Sequence, residues 1–328
     1  MKRLAFVLLL CSAAALAEPL PALRADTKAV TASGLSSGGY MAVQLHVAHS
    51  RQVKGVGAIA AGPYYCAQGS LWTALYNCMT PGAWSPLPST RLLKEATDAL
   101  AKDKRIDPTS NLAAARVWLF HGRRDRTVYP AVVQGLREYY AFYKVKAELV
   151  DHTPAGHAMA TEDAGNEDCA ATRDPYINDC DYDAAGELLK HVLNGAKRPA
   201  AKASGRLVAF DQKPHAAAAR MGEQGYVYIP KACGKGRCRV HVAFHGCRQS
   251  AGEVGERFAR DAGYNRWADT NRLLVLYPQA AASWSVFGFN PRACWDWWGY
   301  TGPDHHTQEG AQIKAVMAML KKLASAPD

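Results

Sequence analysis

The stretch Val30–Gly39, VTASGLSSGG, decides how this chain is read. A strand runs here into a turn of small residues and then into a helix. Within it, Gly34-Leu35-Ser36-Ser37-Gly38 fits G-x-S-x-G, in which glycines two residues to either side of the serine let the backbone fold tightly enough to expose its hydroxyl. Ser36 is the candidate nucleophile, and Ser37 lacks a glycine two residues before it. Composition alone would produce the pattern about once in ten chains of this length, so its setting matters. Lys28–Ala32 has a strand pattern. Gly39–His49 carries good helix formers with Met41, Leu45 and Ala48 at helical spacing, and together they give the strand–turn–helix that the motif needs.

A second informative stretch follows the strand Ala115–Phe120. His121-Gly122-Arg123-Arg124-Asp125-Arg126-Thr127-Val128 reads H-G-x-x-D-x-x-V, a turn that lifts a carboxylate above the end of a sheet. Asp125 is the candidate acid, although aspartates after strands are commonly no more than turn residues. Beyond a helix at Val132–Tyr143 and a short strand at Ala147–Asp151, Thr153-Pro154-Ala155-Gly156-His157 presents a histidine on a glycine-containing loop. A lone loop histidine is usually a surface residue. Here it completes the order Ser…Asp…His of the α/β-hydrolase fold. Serine is a poor nucleophile until an imidazole takes its proton, and the imidazole needs a carboxylate to fix its tautomer and stabilise its cation. His121, His152, His305 and His306 fit that role less well by position.

Asp183–Leu193 reads as a helix ended by Asn194-Gly195, and residues 196–205 (AKRPAAKASG) read as a polar linker. To that point the chain holds only the second half of a hydrolase. The strands expected at Leu207–Phe210, Gly225–Pro230, Arg239–Phe244 and Leu273–Tyr277 supply the rest, with helices at Arg257–Thr270 and Gln308–Ala324. After Arg239–Phe244 comes His245-Gly246-Cys247, an H-G motif at the place where this fold provides one oxyanion-hole N–H. Cys247 N–H is the expected donor, and Ser37 N–H the second. The expectation is therefore a circularly permuted α/β-hydrolase with a mostly parallel sheet flanked by helices, formed as a single catalytic domain over residues 18–328. Two separate domains would each hold half a site and exposed parallel-sheet edges, whereas permutation at a polar linker costs little.

Residues 1–17, MKRLAFVLLLCSAAALA, have a basic start, a short apolar core and A-L-A before Glu18, and read as a secretory signal peptide. The apolar run is shorter than the roughly 20 residues of a membrane span. A lipidated Cys11 is disfavoured by Leu10 where a small residue is expected. The expected protein is secreted, with a periplasmic location as the variant. Of nine cysteines, eight remain after Cys11, an even number that suits disulfides in an exported chain. Proximity suggests Cys66–Cys78, Cys169–Cys180 and Cys233–Cys238, leaving Cys247–Cys294. A zinc site finds no C-x-x-C pair to support it. The formal charge of +10 falls to +8 without Lys2 and Arg3, and the basic residues form no dense run. This implies a solvated basic surface and no nucleic-acid partner.

SGLSSGGYMAVQL, AGPYYCA, FHGRRDRTV, TPAGHA, VAFHGCRQS and CWDWWGY together resemble the single-domain extracellular polyhydroxybutyrate (PHB) depolymerases over nearly the whole mature chain. The resemblance implies a permuted α/β hydrolase with triad Ser36, Asp125 and His157, an oxyanion donor at Cys247 and four disulfides; the sequence shows no cofactor site, and the triad reaction needs no metal. It implies a substrate too, poly(3-hydroxybutyrate) or its oligomers, attacked by what is expected to be a monomer. The sequence shows no separate polymer-binding segment, so adsorption is expected of the catalytic domain itself. Trp284–Tyr300, WSVFGFNPRACWDWWGY, is the expected contact surface, with about half of its rings buried and Trp295, Trp297 and Trp298 as candidates for the substrate cleft. Two rival readings are another secreted esterase, feruloyl or acetylxylan, on the same triad, and a non-catalytic binding protein on a hydrolase scaffold.

Overall fold

The computed structural model describes residues 18–163, 165–216, 219–234, 237–286 and 288–327. The leader reading of residues 1–17, and Phe287 of the aromatic segment, lie outside the described residues. Among the described residues twelve strands appear in chain order: β1 Glu18–Pro19, β2 Asp26–Leu35, β3 Val53–Ile59, β4 Arg116–Phe120, β5 Glu148–Val150, β6 Met159–Thr161, β7 Glu167–Asp168, β8 Ile177–Asp179, β9 Arg206–Asp211, β10 Gln224–Ile229, β11 Arg239–Phe244 and β12 Leu273–Tyr277. Nine of them form one sheet in the order β1-β9-β10-β12-β11-β2-β3-β4-β5, and β6, β8 and β7 form a small second sheet.

Only β10 runs against its neighbours in the large sheet. Counted from β9, the order has a single exchange, β12 before β11, and then proceeds without a break from β11 to β2. This is the α/β-hydrolase sheet with its chain order permuted. The seam between the two parts of the sequence is a parallel pairing, in unbroken register from His241 opposite Thr31 to Phe244 opposite Gly34. Side chains fasten it as well. The buried His241 ring bonds Thr31 Oγ1 through Nδ1 and Ser33 Oγ through Nε2, each at 2.8 Å, and Ser33 Oγ also meets Tyr264 Oη at 2.8 Å. Burial drives the His241 imidazole down to about 3, so it stays neutral.

The central strands are buried on both faces, as their Val/Leu/Ala composition requires of a parallel sheet covered by helices. Ser37–Ala48, directly after β2, is buried throughout and is among the most enclosed elements of the molecule. Three local expectations change. Residues 66–90, whose two cysteines, two tryptophans and five prolines and glycines predict an irregular disulfide-held loop, contain the helix Leu71–Asn77, capped by Ser70 Oγ accepting from Thr73 N–H at 3.2 Å. The expected helix Arg257–Thr270 is two helices, Arg257–Asp261 and Tyr264–Asn271, because Gly263 between them adopts φ 92°. The stretch 196–205 is no loose tether: Lys197, Ala200 and Ser204 N–H groups donate to Asn271 Oδ1, Arg266 O and Asp269 Oδ2.

Candidate active site

Parallel strands all end on one edge of the sheet, and their following loops converge there. Ser36 follows β2, Asp125 follows β4, His157 follows β5 and Cys247 follows β11. Ser36 stands at φ 56° and ψ −123°, a strained conformation for a residue with a side chain, and its N–H is held by Ile59 O at 2.8 Å. The flanking glycines are required by close approach. A Cβ on Gly38 would lie 2.4 Å from the Phe244 and His245 carbonyl oxygens, and one on Gly34 would lie 2.4 Å from the Gly38 carbonyl. The elbow thus packs backbone to backbone against the start of the H-G-C loop.

His157 Nδ1–H donates to Asp125 Oδ2 at 2.7 Å, both side chains being almost wholly buried. Asp125 Oδ1 accepts from Thr127 N–H at 2.8 Å and Val128 N–H at 3.0 Å. Burial alone would raise this carboxyl, but the His157 charge and hydrogen bond, with the two backbone donors, hold it below the usual carboxylate range. Asp125 is therefore ionised and orients the imidazole. His157 N–H is held in turn by Thr172 Oγ1 at 2.9 Å. Ser36 Oγ makes no hydrogen bond to His157, as is common in sites without substrate.

The H-G-C loop is fixed on every side. His245 Nε2 accepts from Ala280 N–H at 3.1 Å while Nδ1–H donates to Gly246 O at 2.7 Å, and burial lowers this ring to about 4, which preserves that neutral tautomer. Gln249 Oε1 accepts from Gly246 N–H at 2.7 Å, and its Nε2 donates to Pro175 O and Tyr176 O, joining the loop to the segment that holds His157. Cys247 is bonded to Cys294, and the other three bridges are Cys66–Cys78, Cys169–Cys180 and Cys233–Cys238. Among the described residues Cys247 N–H has no acceptor, and Ser37 N–H, the first of its helix, has none within the helix. Ser37 directly follows Ser36, and Cys247 lines the same cavity as Ser36.

Beside Ser36 opens an apolar cavity of about 310 Å³, lined by Leu71, Ala74, Leu75, Met79, Cys247, Phe289, Asn290, Pro291, Arg292, Cys294, Trp297 and Trp298. Trp295 is not among them. It is fully buried against Phe244 and His245, so its place as a cleft residue is corrected to that of a core residue beside the H-G-C loop. Trp295 is separated from Trp297 and Trp298 by the buried Asp296, whose carboxylate accepts from the N–H groups of Trp298, Gly299, Tyr300 and Thr301 and from Thr301 Oγ1. That turn swings Trp297 and Trp298 toward the cavity. The sequence reading missed Leu71, Leu75 and Met79, whose only signal was apolar side chains inside a stretch rich in turn residues. Trp72, Tyr76, Trp84, Trp284 and Phe289 are exposed; Trp72 and Tyr76 stack on the helix that supplies Leu71 and Leu75, and Trp284 packs on the cavity-lining Phe289.

No family model matches the chain. A poly(3-hydroxybutyrate) depolymerase of Delftia acidovorans is 40% identical over 93% of this chain, and the chain spans 62% of that protein's length. A polyhydroxybutyrate depolymerase of Talaromyces funiculosus is 35% identical, with 98% of this chain and 97% of that protein matched. The crystal structure of PHB depolymerase from Penicillium funiculosum superposes with a TM-score of 0.85 at 34% identity, over 93% of this chain and 98% of that one. A PHB depolymerase structure with a serine-to-alanine substitution, complexed with an R3HB trimer, superposes with a TM-score of 0.86 at the same identity and coverage.

Proposed function

Because this chain belongs to the polyhydroxybutyrate depolymerase family, we propose that it is a serine esterase that hydrolyses the ester bonds of poly(3-hydroxybutyrate) and its oligomers. The observation that carries this reading is the buried Asp125–His157 pair at 2.7 Å on the sheet edge where the strained Ser36 faces an apolar cavity. Ser36 Oγ attacks the ester carbonyl while His157 Nε2 takes its proton. Negative charge then develops on the carbonyl oxygen, where Ser37 N–H and Cys247 N–H are free to donate; loss of one such donor costs about 2.7–4 kcal/mol of barrier. Collapse expels the alcohol, protonated by His157, and leaves an acyl group on Ser36. Water activated by the same imidazole releases the acid.

The cavity's apolar lining suits the methyl-bearing polyester, and the exposed Phe289 beside it, packed with the exposed Trp284, gives apolar surface for adsorption to the polymer. All proposed catalytic groups come from one chain, in agreement with a monomer acting as a single catalytic domain. Four disulfides fit an oxidising compartment, and no described helix is long and apolar enough to cross a membrane. With the leader-like residues 1–17 they support export from the cell. The test is clearing of a poly(3-hydroxybutyrate) suspension by residues 18–328, with Ser36→Ala and Ser37→Ala alongside. Clearing lost in Ser36→Ala and retained in Ser37→Ala is the expected result. A folded protein that cleaves p-nitrophenyl butyrate but neither polymer nor oligomer keeps the serine chemistry and moves the substrate to another ester.

A further inference from the structure

A second groove, of about 810 Å³, adjoins the catalytic cavity and shares Pro291 and Arg292 with it. Its position is informative. One border is the segment that holds His157, where Thr172 Oγ1 accepts the His157 N–H. The other is the oxyanion loop, where Arg248 directly follows Cys247. Arg248 N–H donates to Arg292 O at 2.8 Å, and the Cys247–Cys294 bridge encloses that contact. Two arginine backbones are thereby clamped side by side on the histidine side of Ser36.

The charges there are unevenly matched. Arg173 is already paired with Glu167 at 2.6 Å. Arg248 and Arg292 form no ion pair among the described residues. Asp174 and Glu253 also line the groove; burial raises the Glu253 carboxyl, while the Ser250 Oγ contact at 3.4 Å and the charge of the nearby Arg248 oppose that rise. At the end that opens into the cavity, the shared residues are a proline and an arginine, with no carboxylate.

In ester hydrolysis the leaving alcohol lies on the side of the histidine that protonates it. For a 3-hydroxyacyl ester that alcohol is the next 3-hydroxyacid unit. When it is the last of an oligomer, its carboxylate stands three bonds from the departing oxygen. We propose that Arg248 and Arg292 bind the terminal carboxylate of a 3-hydroxyacid oligomer. The acyl part then occupies the apolar cavity and the anionic end unit leaves on the His157 side. This rests on the polyester reading above, and adds to it a direction for the chain and a preference for bonds next to the carboxylate end. Guanidinium groups suit the task, since their planar donors match a carboxylate in pairs.

The experiment compares the 3-hydroxybutyrate trimer with a free carboxylate against its methyl ester, using the mature protein and the double variant R248Q/R292Q. A charge-assisted contact predicts a KM at least about tenfold lower for the acid than for the ester in the wild type. That advantage should shrink with added salt, and the ester-to-acid ratio of KM should fall to about one in the double variant, with an unchanged melting temperature showing an intact fold. Equal KM values for acid and ester in the wild type, or a variant that raises both in proportion, overturns the proposal. Failure to cleave either trimer, with p-nitrophenyl butyrate still hydrolysed, defeats the polyester reading and this inference with it.

Discussion

The Tyr40 ring lies flat on the Trp297 indole, with centroids 3.9 Å apart and planes 6° from parallel. Tyr40 sits in the first turn of the helix that follows Ser36, and Trp297 lines the cavity beside that serine. Tyr40 Oη–H donates to Cys78 O, the end of the bridged loop that supplies Leu71 and Leu75. One aromatic stack therefore joins the elbow to both walls of the cavity. Trp297→Ala, which removes a ring only 5% exposed, should cost about 3–5 kcal/mol of stability. Trp298→Ala should act mainly on oligomer KM. Urea unfolding of the two variants separates these roles, and an unshifted midpoint for Trp297→Ala refutes the structural part.

Asp296 gathers five donors on one buried carboxylate, and through them sets the direction of Trp297 and Trp298. Asp296→Ala strands those donors and should lower stability by more than about 3 kcal/mol. Asp296→Asn should lose less, since one amide oxygen still serves three N–H groups. Denaturation midpoints in the order wild type, Asn, Ala are expected; equal loss for the two variants rejects the acceptor role.

The Cys247–Cys294 bridge closes a loop of 47 residues, which by chain entropy alone is worth about 4 kcal/mol. It also carries Cys247 N–H, one proposed oxyanion donor. Cys294→Ser should lower both melting temperature and kcat on p-nitrophenyl butyrate. Normal turnover in a destabilised variant would mean that the loop keeps its place without the bond.

Gly38→Ala puts a methyl group against the Phe244 and His245 carbonyls at 2.4 Å, where only backbone could yield. The expected outcome is a loss of activity far larger than the loss of secondary structure, since elbow and oxyanion loop would be forced apart. Circular dichroism with ester kinetics checks it. Full activity in Gly38→Ala would falsify the contact.

Acid should unfold this protein early. His46 and His241 are driven to about 3 by burial, with Lys54 adding to the effect at His46, and His245 to about 4 by burial. Unfolded histidine titrates near 6.5, so between that pH and the folded values the unfolded chain binds more protons, and stability is lost as pH falls. Each ring adds about 1.4 kcal/mol per pH unit in that window. Asp125, held low in the folded state, loses its contribution in the same direction at lower pH. Urea midpoints from pH 7 to pH 4 should fall steeply, and a flat profile refutes neutral burial of these rings.

Much of the site was legible because its parts are local. G-x-S-x-G, H-G-x-x-D, G-H and H-G-C each describe a backbone path over a few residues, and the geometry of a strand end demands those residue types whatever lies around them. The halves of the sheet could be ordered for a related reason, as neither half can bury its edge alone. The helix at Leu71–Asn77 was hidden by the prolines, glycines and tryptophans around it, and the break at Gly263 by helix formers on both sides.

The sequence by itself determined the candidate nucleophile, acid and base, the oxyanion motif and the permuted order of the strands, because strand-end turns restrict which residues can occupy them. Only the tertiary structure decided which tryptophans meet the cavity and which uphold the core. Trp295, Trp297 and Trp298 differ in no local property. They part company because the Asp296 carboxylate winds the intervening backbone around itself, and because Phe244 and Tyr40, each distant in sequence, offer the faces on which two of those rings come to rest.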